Sequence, residues 1–194
     1  MPPPISVELA PHNRTWAAAA AAEGERLMAA LGPVLLGVYH VGSTAIPGII
    51  AKPILDLLPV VASAGGLDEC RPVVEALGYE WWGELGLPGR RYCTRSDRAT
   101  GRRLVQLHCY ARGSPEIDRH LAFRDYLRHR PDIAEAYARE KDRCRRLHPD
   151  DSHAYGDCKG RWIARVEAEA VLWQRSVQPA HEGAEPVAAP DPTV

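Results

Sequence analysis

The sequence predicts an α+β fold: an N-terminal helix, a mixed β-sheet core holding one internal helix, and a helical C-terminal half. Three observations predict it. Apolar runs bounded by Gly, Pro or Ser turn signals occur at 34–41, 53–61 and 103–111. An alanine run of very high helix propensity precedes them. After Gly113 the apolar residues change to helical spacing.

The elements follow in order. Thr15 can cap a helix over 16–31, which Gly32 and Pro33 stop. VLLGVYHV at 34–41 reads as a buried strand, and a turn-rich loop, GSTAIPG, occupies 42–48. PILDLLPVV at 53–61 has the apolar density of a strand covered on both faces, with Asp56 in its middle. A helix over 67–77 closes at Gly78. Short strands are expected at 79–82 and 91–95, with a loop at 86–89 and a turn at 97–101. RLVQLHCYA at 103–111 alternates as a strand does, which puts Leu107 and Cys109 on one face and Gln106 and His108 on the other. Ser114 caps the next helix, with Leu121, Phe123, Tyr126 and Leu127 on its apolar stripe. Pro131 opens another, to about Leu147, and Ser152 opens the last, to about Arg175.

The 194 residues, 45% apolar and 25% charged, suit one domain over 1–176 followed by a Pro-rich tail over 177–194 that reads as disordered. Net charge is −1, from 24 Lys+Arg against 25 Asp+Glu, so bulk nucleic-acid binding is not expected, although a local basic face remains open. Only three basic residues are lysines: Lys52, Lys141 and Lys159. No stretch approaches 18 apolar residues, and no signal peptide is expected. The five cysteines are scattered and odd in number. Neither a zinc site nor a disulfide framework is expected, and a reduced cytoplasm is the default compartment.

One constellation can carry chemistry. Small residues after a strand, Gly42, Ser43 and Thr44, let backbone and hydroxyl groups approach a phosphate. Asp56 on the next strand could hold a magnesium ion bridging phosphate oxygens, or could form a structural salt bridge with an arginine or Lys52. Lys52 could neutralise phosphate or lie in solvent. His108 beside Gln106 suits a polar pocket as well as a structural role. Glu84 and Arg90 could pair across their loop. Arg124–Asp125 reads as a buried ion pair or a ligand contact, and Tyr155 and Lys159 share a helix face.

The segment HVGSTAIPGIIAKPILD resembles the GrpB family pattern VGST-x-(I/V)-PG-x-x-x-KP-(I/V)-x-D. Further segments are similar to family motifs: the loop ending in PGR at Arg90, Leu107-His108, FRDYLR at 123–128, and two Y-x-x-x-K patterns, Tyr137 to Lys141 and Tyr155 to Lys159. The resemblance spans about 6–173, and all three lysines fall on motif positions. It implies a nucleotidyltransferase-like core. In active members of that superfamily two carboxylates at i and i+2 bind two metals, with a third from another strand. Here Leu58 stands at i+2, and Gln106 where the family usually has His. Some family members are fused to a dephospho-coenzyme A kinase domain. Two functions follow as expectations. One is nucleotidyl or phosphoryl transfer, with Asp56 holding magnesium, His108 as ligand or proton acceptor, and Gly42, Ser43, Thr44, Lys52, Arg90, Arg124, Lys141, Tyr155 and Lys159 contacting a phosphorylated substrate. The other is a nucleotide- or coenzyme-binding module without turnover, linked to coenzyme A metabolism.

Overall fold

A computed structural model describes residues 2–177 and Val187. The expectation for the tail over 177–194 lies, Val177 and Val187 apart, outside the described residues. The first helix, α1, spans Thr15–Leu31. Its start is closed by Asn13, whose side-chain oxygen accepts from the Thr15 N–H at 2.9 Å and hydroxyl at 2.8 Å. Thr15 is therefore the first helical residue rather than the cap. Strand β1 is Leu35–Val41 and β2 is Leu55–Val61. The helix expected over 67–77 is two short ones, α2 (Ala64–Glu69) and α3 (Arg71–Ala76). Pro72 explains the break, since it offers no N–H to continue the ladder and fits best in a first turn. Ser63 caps α2 through Gly66 N–H at 3.1 Å.

Strands β3 (Glu80–Trp81), β4 (Arg91–Ser96) and β5 (Arg103–Ala111) complete one five-stranded mixed sheet of order β1-β2-β5-β4-β3. Only the β2–β5 pair is parallel. Helices α4 (Pro115–His129), α5 (Pro131–Leu147) and α6 (Ser152–Val177) follow. Ser114 caps α4 as expected. Ser152 opens α6 as expected, and Asp151 before it accepts from His153 and Ala154 N–H at 2.8 and 3.0 Å. No helix among the described residues is long and apolar enough to cross a membrane.

Strand alternation divides the core. Trp16 and Leu27 of α1 pack on one sheet face with Leu57, Val105 and Leu107. Leu58, Val41 and Tyr110 meet Leu121 of α4 on the other. Ile46 and Ile49, in the chain between β1 and β2, are buried among α4, α5 and α6. That chain segment is thus inserted between the sheet and the helical half.

One expectation is overturned. Cys144 of α5 and Cys158 of α6 form a disulfide with Cα atoms 5.8 Å apart. Sequence spacing gave no sign of it, because the pair meets only where α5 packs against α6. Cys70, Cys93 and Cys109 are free.

Where β1 ends, Val41 pairs with Asp56 of β2. Gly42 follows at φ +68°, and a Cβ there would lie 2.9 Å from the Asp56 Cβ and closer still to its carboxylate. Gly42→Ala therefore combines a left-handed backbone with overlap. It is expected to destabilise the protein by more than about 2 kcal/mol in denaturant unfolding. The Cys144–Cys158 link closes a loop with a sequence separation of 14. Replacing both cysteines by serine is expected to remove about 3 kcal/mol of stability and lower the melting temperature as reduction does. Unchanged melting under reductant would contradict the pairing.

Candidate functional site

The loop after β1 is held in place from the helical half. Gly42 opens a 3-10 turn, Ser43–Ala45, closed by the Ala45 N–H to Gly42 O bond at 3.2 Å. The Thr44 hydroxyl pairs with His40 Nε2 at 2.8 Å. His40 is buried, and burial pushes its pKa down to about 4, with the Arg128 and Arg124 charges adding to the shift against the pull of Asp56. The ring is thus neutral near pH 7. Three cations then donate to carbonyls along the segment. Arg124 donates to His40 O at 3.2 Å, Arg128 to Ala45 O at 2.8 Å, and the Lys141 ammonium to Ile50 O. Arg124 also holds Asp125 through two bonds of 2.7 and 2.9 Å, the buried ion pair foreseen as one alternative.

Beneath the loop lies a cavity of about 250 Å³. Its floor is the start of β2 and β5, where Asp56 is in register with Gln106. Its wall comes from α4, α5 and α6. Gly42, Ser43, Thr44, Lys52, Asp56 and His108 all line it, and so do Tyr155 and Lys159. His108 Nε2 donates to the Asp56 carboxylate at 3.3 Å, with the two side chains 17% and 28% exposed. Asp56 is thus reachable from solvent and is joined to a histidine rather than to arginine or Lys52.

Tyr155 is buried, and two ammonium groups approach its ring, Lys52 at 5.4 Å and Lys159 at 5.3 Å from the centroid. Neither lysine forms an ion pair among the described residues. Burial, reinforced by the Lys159 charge and opposed by that of Asp56, pushes the Lys52 pKa down to about 8. Burial is also the main cause that holds the Tyr155 hydroxyl well above its ordinary value.

Three residues expected at the site lie elsewhere. Arg124 and Lys141 do not line the cavity, because their charged ends are taken by backbone carbonyls of the loop. Lys141 lies over the Tyr137 ring at 4.5 Å, and burial pushes its pKa down to about 7. Arg90 donates to Glu84 O and Leu85 O and sits over Tyr92 at 4.9 Å. The Glu84 carboxylate instead accepts from Gly89 N–H at 2.7 Å. Sequence reasoning missed His120, Tyr137 and Glu167 as lining residues. Glu167 was within reach, because Tyr155, Lys159, Ile163 and Glu167 continue one i, i+4 stripe of α6 into the cavity. Burial raises the Glu167 pKa against the opposing Arg119 guanidinium it pairs with. Burial also drives His120 far below its ordinary value, so this ring is neutral.

The donor set does not fit a two-metal clamp. Leu58, where a second carboxylate would stand, is fully buried against Val41, Tyr110 and Leu121. Glu167 is engaged by Arg119. Among the described residues one group of three potential metal-ligating side chains gathers, Glu140, Cys144 and Cys158, and none of them lines this cavity.

Comparison with known proteins agrees with the architecture. The GrpB protein family model matches residues 6–169. UPF0157 protein YqkA of Bacillus subtilis is 39% identical over 173 residues, 89% of this chain and 50% of that protein. The chain thus spans half the length of this curated relative. A dephospho-CoA kinase of Mycolicibacterium paratuberculosis is 28% identical over 192 residues, 88% of this chain and 47% of that protein. The crystal structure of the conserved protein GrpB from Enterococcus faecalis matches with TM-score 0.81 and 35% identity, covering 87% of this chain and 99% of that one. A structure of Cid1 in complex with its short product ApU is more distant, at TM-score 0.48 and 14% identity over 68% of this chain and 41% of the other. Matched along most of its length by the family model, this chain belongs to the GrpB protein family.

Proposed function

We propose that the cavity binds a nucleotide or a related phosphorylated small molecule. The observation that carries this reading is the pair of lysines flanking Tyr155. Two ammonium groups held near each other and partly desolvated, with no salt bridge to a carboxylate among the described residues, raise the energy of the ligand-free state. A phosphate between them relieves both penalties through charge-assisted hydrogen bonds. Ser43 and Thr44 line the same cavity.

Nucleotidyl or phosphoryl transfer is the second reading, and one observation favours it. Asp56 lies within hydrogen-bonding distance of His108 Nε2, and in the tautomer that donates there Nδ1 is a proton acceptor for an attacking hydroxyl. Asp56 is also the carboxylate that a single magnesium ion could share with phosphate oxygens. The relation to a dephospho-CoA kinase places coenzyme A precursors among the ligands to try.

Thermal-shift and calorimetric titrations with nucleotides and dephospho-coenzyme A, with and without magnesium, test the reading. Stabilisation by at least one of them is expected, and the Lys52→Ala, Lys159→Ala double variant is expected to remove it. Failure of every such compound to bind would overturn the pocket assignment. Asp56→Asn is expected to leave magnesium-free binding in place and to abolish both magnesium dependence and any product formation.

Affinity should also depend on pH. Lys52 is cationic below about pH 8 and loses its charge above it. Binding measured by calorimetry is therefore expected to weaken about tenfold between pH 7 and pH 9, a range in which an ordinary lysine would stay charged. Lys52→Arg should abolish that decline.

A further inference from the structure

Lys52 faces two cavities. Beyond Pro53 a second space of about 270 Å³ opens, lined by Ser6, Glu8, Thr100, Arg102 and Arg103. Lys52 and Ile54 line both spaces, so they form the partition between them. Neither space alone reaches the roughly 300 Å³ at which small-molecule pockets begin, and the two joined exceed it.

The two arginines of the outer space differ. Arg102 is neutralised by Glu8 at 2.6 Å. Arg103, at the start of β5, has a buried Nε with no hydrogen-bond partner, and its guanidinium forms no ion pair among the described residues. Its charge is felt at Lys52, which is thus opposed by Lys159 from the inner cavity and by Arg103 from the outer one. A partly buried guanidinium with an unmade hydrogen bond is a standing penalty that an arriving anion removes.

Resting on the pocket reading above, we infer that the outer space is a second anion subsite. The ligand then carries two phosphate groups, one between Lys52 and Lys159 and the other between Lys52 and Arg103. A diphosphate and a molecule with two separated phosphates share this chemistry, and the spacing of the two groups tells them apart.

Titration calorimetry of the full chain with AMP, ADP and adenosine 3′,5′-bisphosphate tests the inference. ADP or the bisphosphate is expected to bind at least tenfold more tightly than AMP, and the better of the two identifies the spacing. Arg103→Ala should erase that advantage and leave AMP affinity within twofold. Arg103→Lys, which keeps the charge, should restore part of it. Among the described residues the Arg103 side chain makes no hydrogen bond or salt bridge, so melting of the ligand-free Arg103→Ala protein should be unchanged. Arg103→Gln serves as the second variant if it is not. AMP binding with no gain from a second phosphate, or equal weakening of all three ligands by Arg103→Ala, would overturn the second subsite and leave the pocket reading standing. Binding of none of the three would overturn both.

Discussion

The Asp56 carboxylate lies so close beneath Gly42 that no side chain can stand at position 42. This contact fixes how β1 hands the chain to the loop and where the one acidic group of the cavity floor sits. It also explains why a left-handed glycine follows a strand at this point. From there the segment is pinned by the helical half. Arg124, Arg128 and Lys141 come from α4 and α5, and each donates to a carbonyl of the β1 end or the loop. The helices are therefore part of the site even where their charged residues never reach the cavity. A loop anchored this way presents Ser43 and Thr44 without the ordering cost that a mobile loop would bring to binding.

Basic residues divide into two groups by what they touch. Most arginines are satisfied, either by carboxylates on the same helix or by backbone oxygens, as the planar guanidinium fork favours. Among the described residues Lys52 and Lys159 form no salt bridge; each lies against the Tyr155 ring, with the Asp56 charge acting on Lys52 and Glu167 within electrostatic reach of Lys159. A compact ammonium with three free donors, held partly out of water, suits a ligand anion better than a structural bond. The near-zero net charge of the whole chain conceals this local excess of positive charge.

Much of the fold was legible in the sequence. Apolar density marked β1 and β2, and strict alternation on β5 put Gln106 and His108 opposite Leu107 and Cys109. Asp56 stood out because an acid in an apolar strand needs a partner or a cleft, and it has both His108 and the cavity. Helix starts were less legible. Asn13 took the capping role assigned to nearby Thr15, since neighbouring polar residues compete for the same orphan N–H groups. Tertiary contacts were illegible where motifs do not say which way a side chain points. Arg124 and Lys141 sit on motif positions yet bond the loop, and the Cys144–Cys158 link depends on how α5 and α6 pack.

The central claim is that the two lysines around Tyr155, facing a rigid glycine-led loop, form a phosphate site. A crystal structure of the full chain grown with ADP tests it most directly. The account predicts phosphate density within hydrogen-bonding distance of the Lys52 and Lys159 ammonium groups, beside Ser43 and Thr44, with the loop unmoved. Ordered nucleotide at another surface, with these two lysines left facing water, would contradict it.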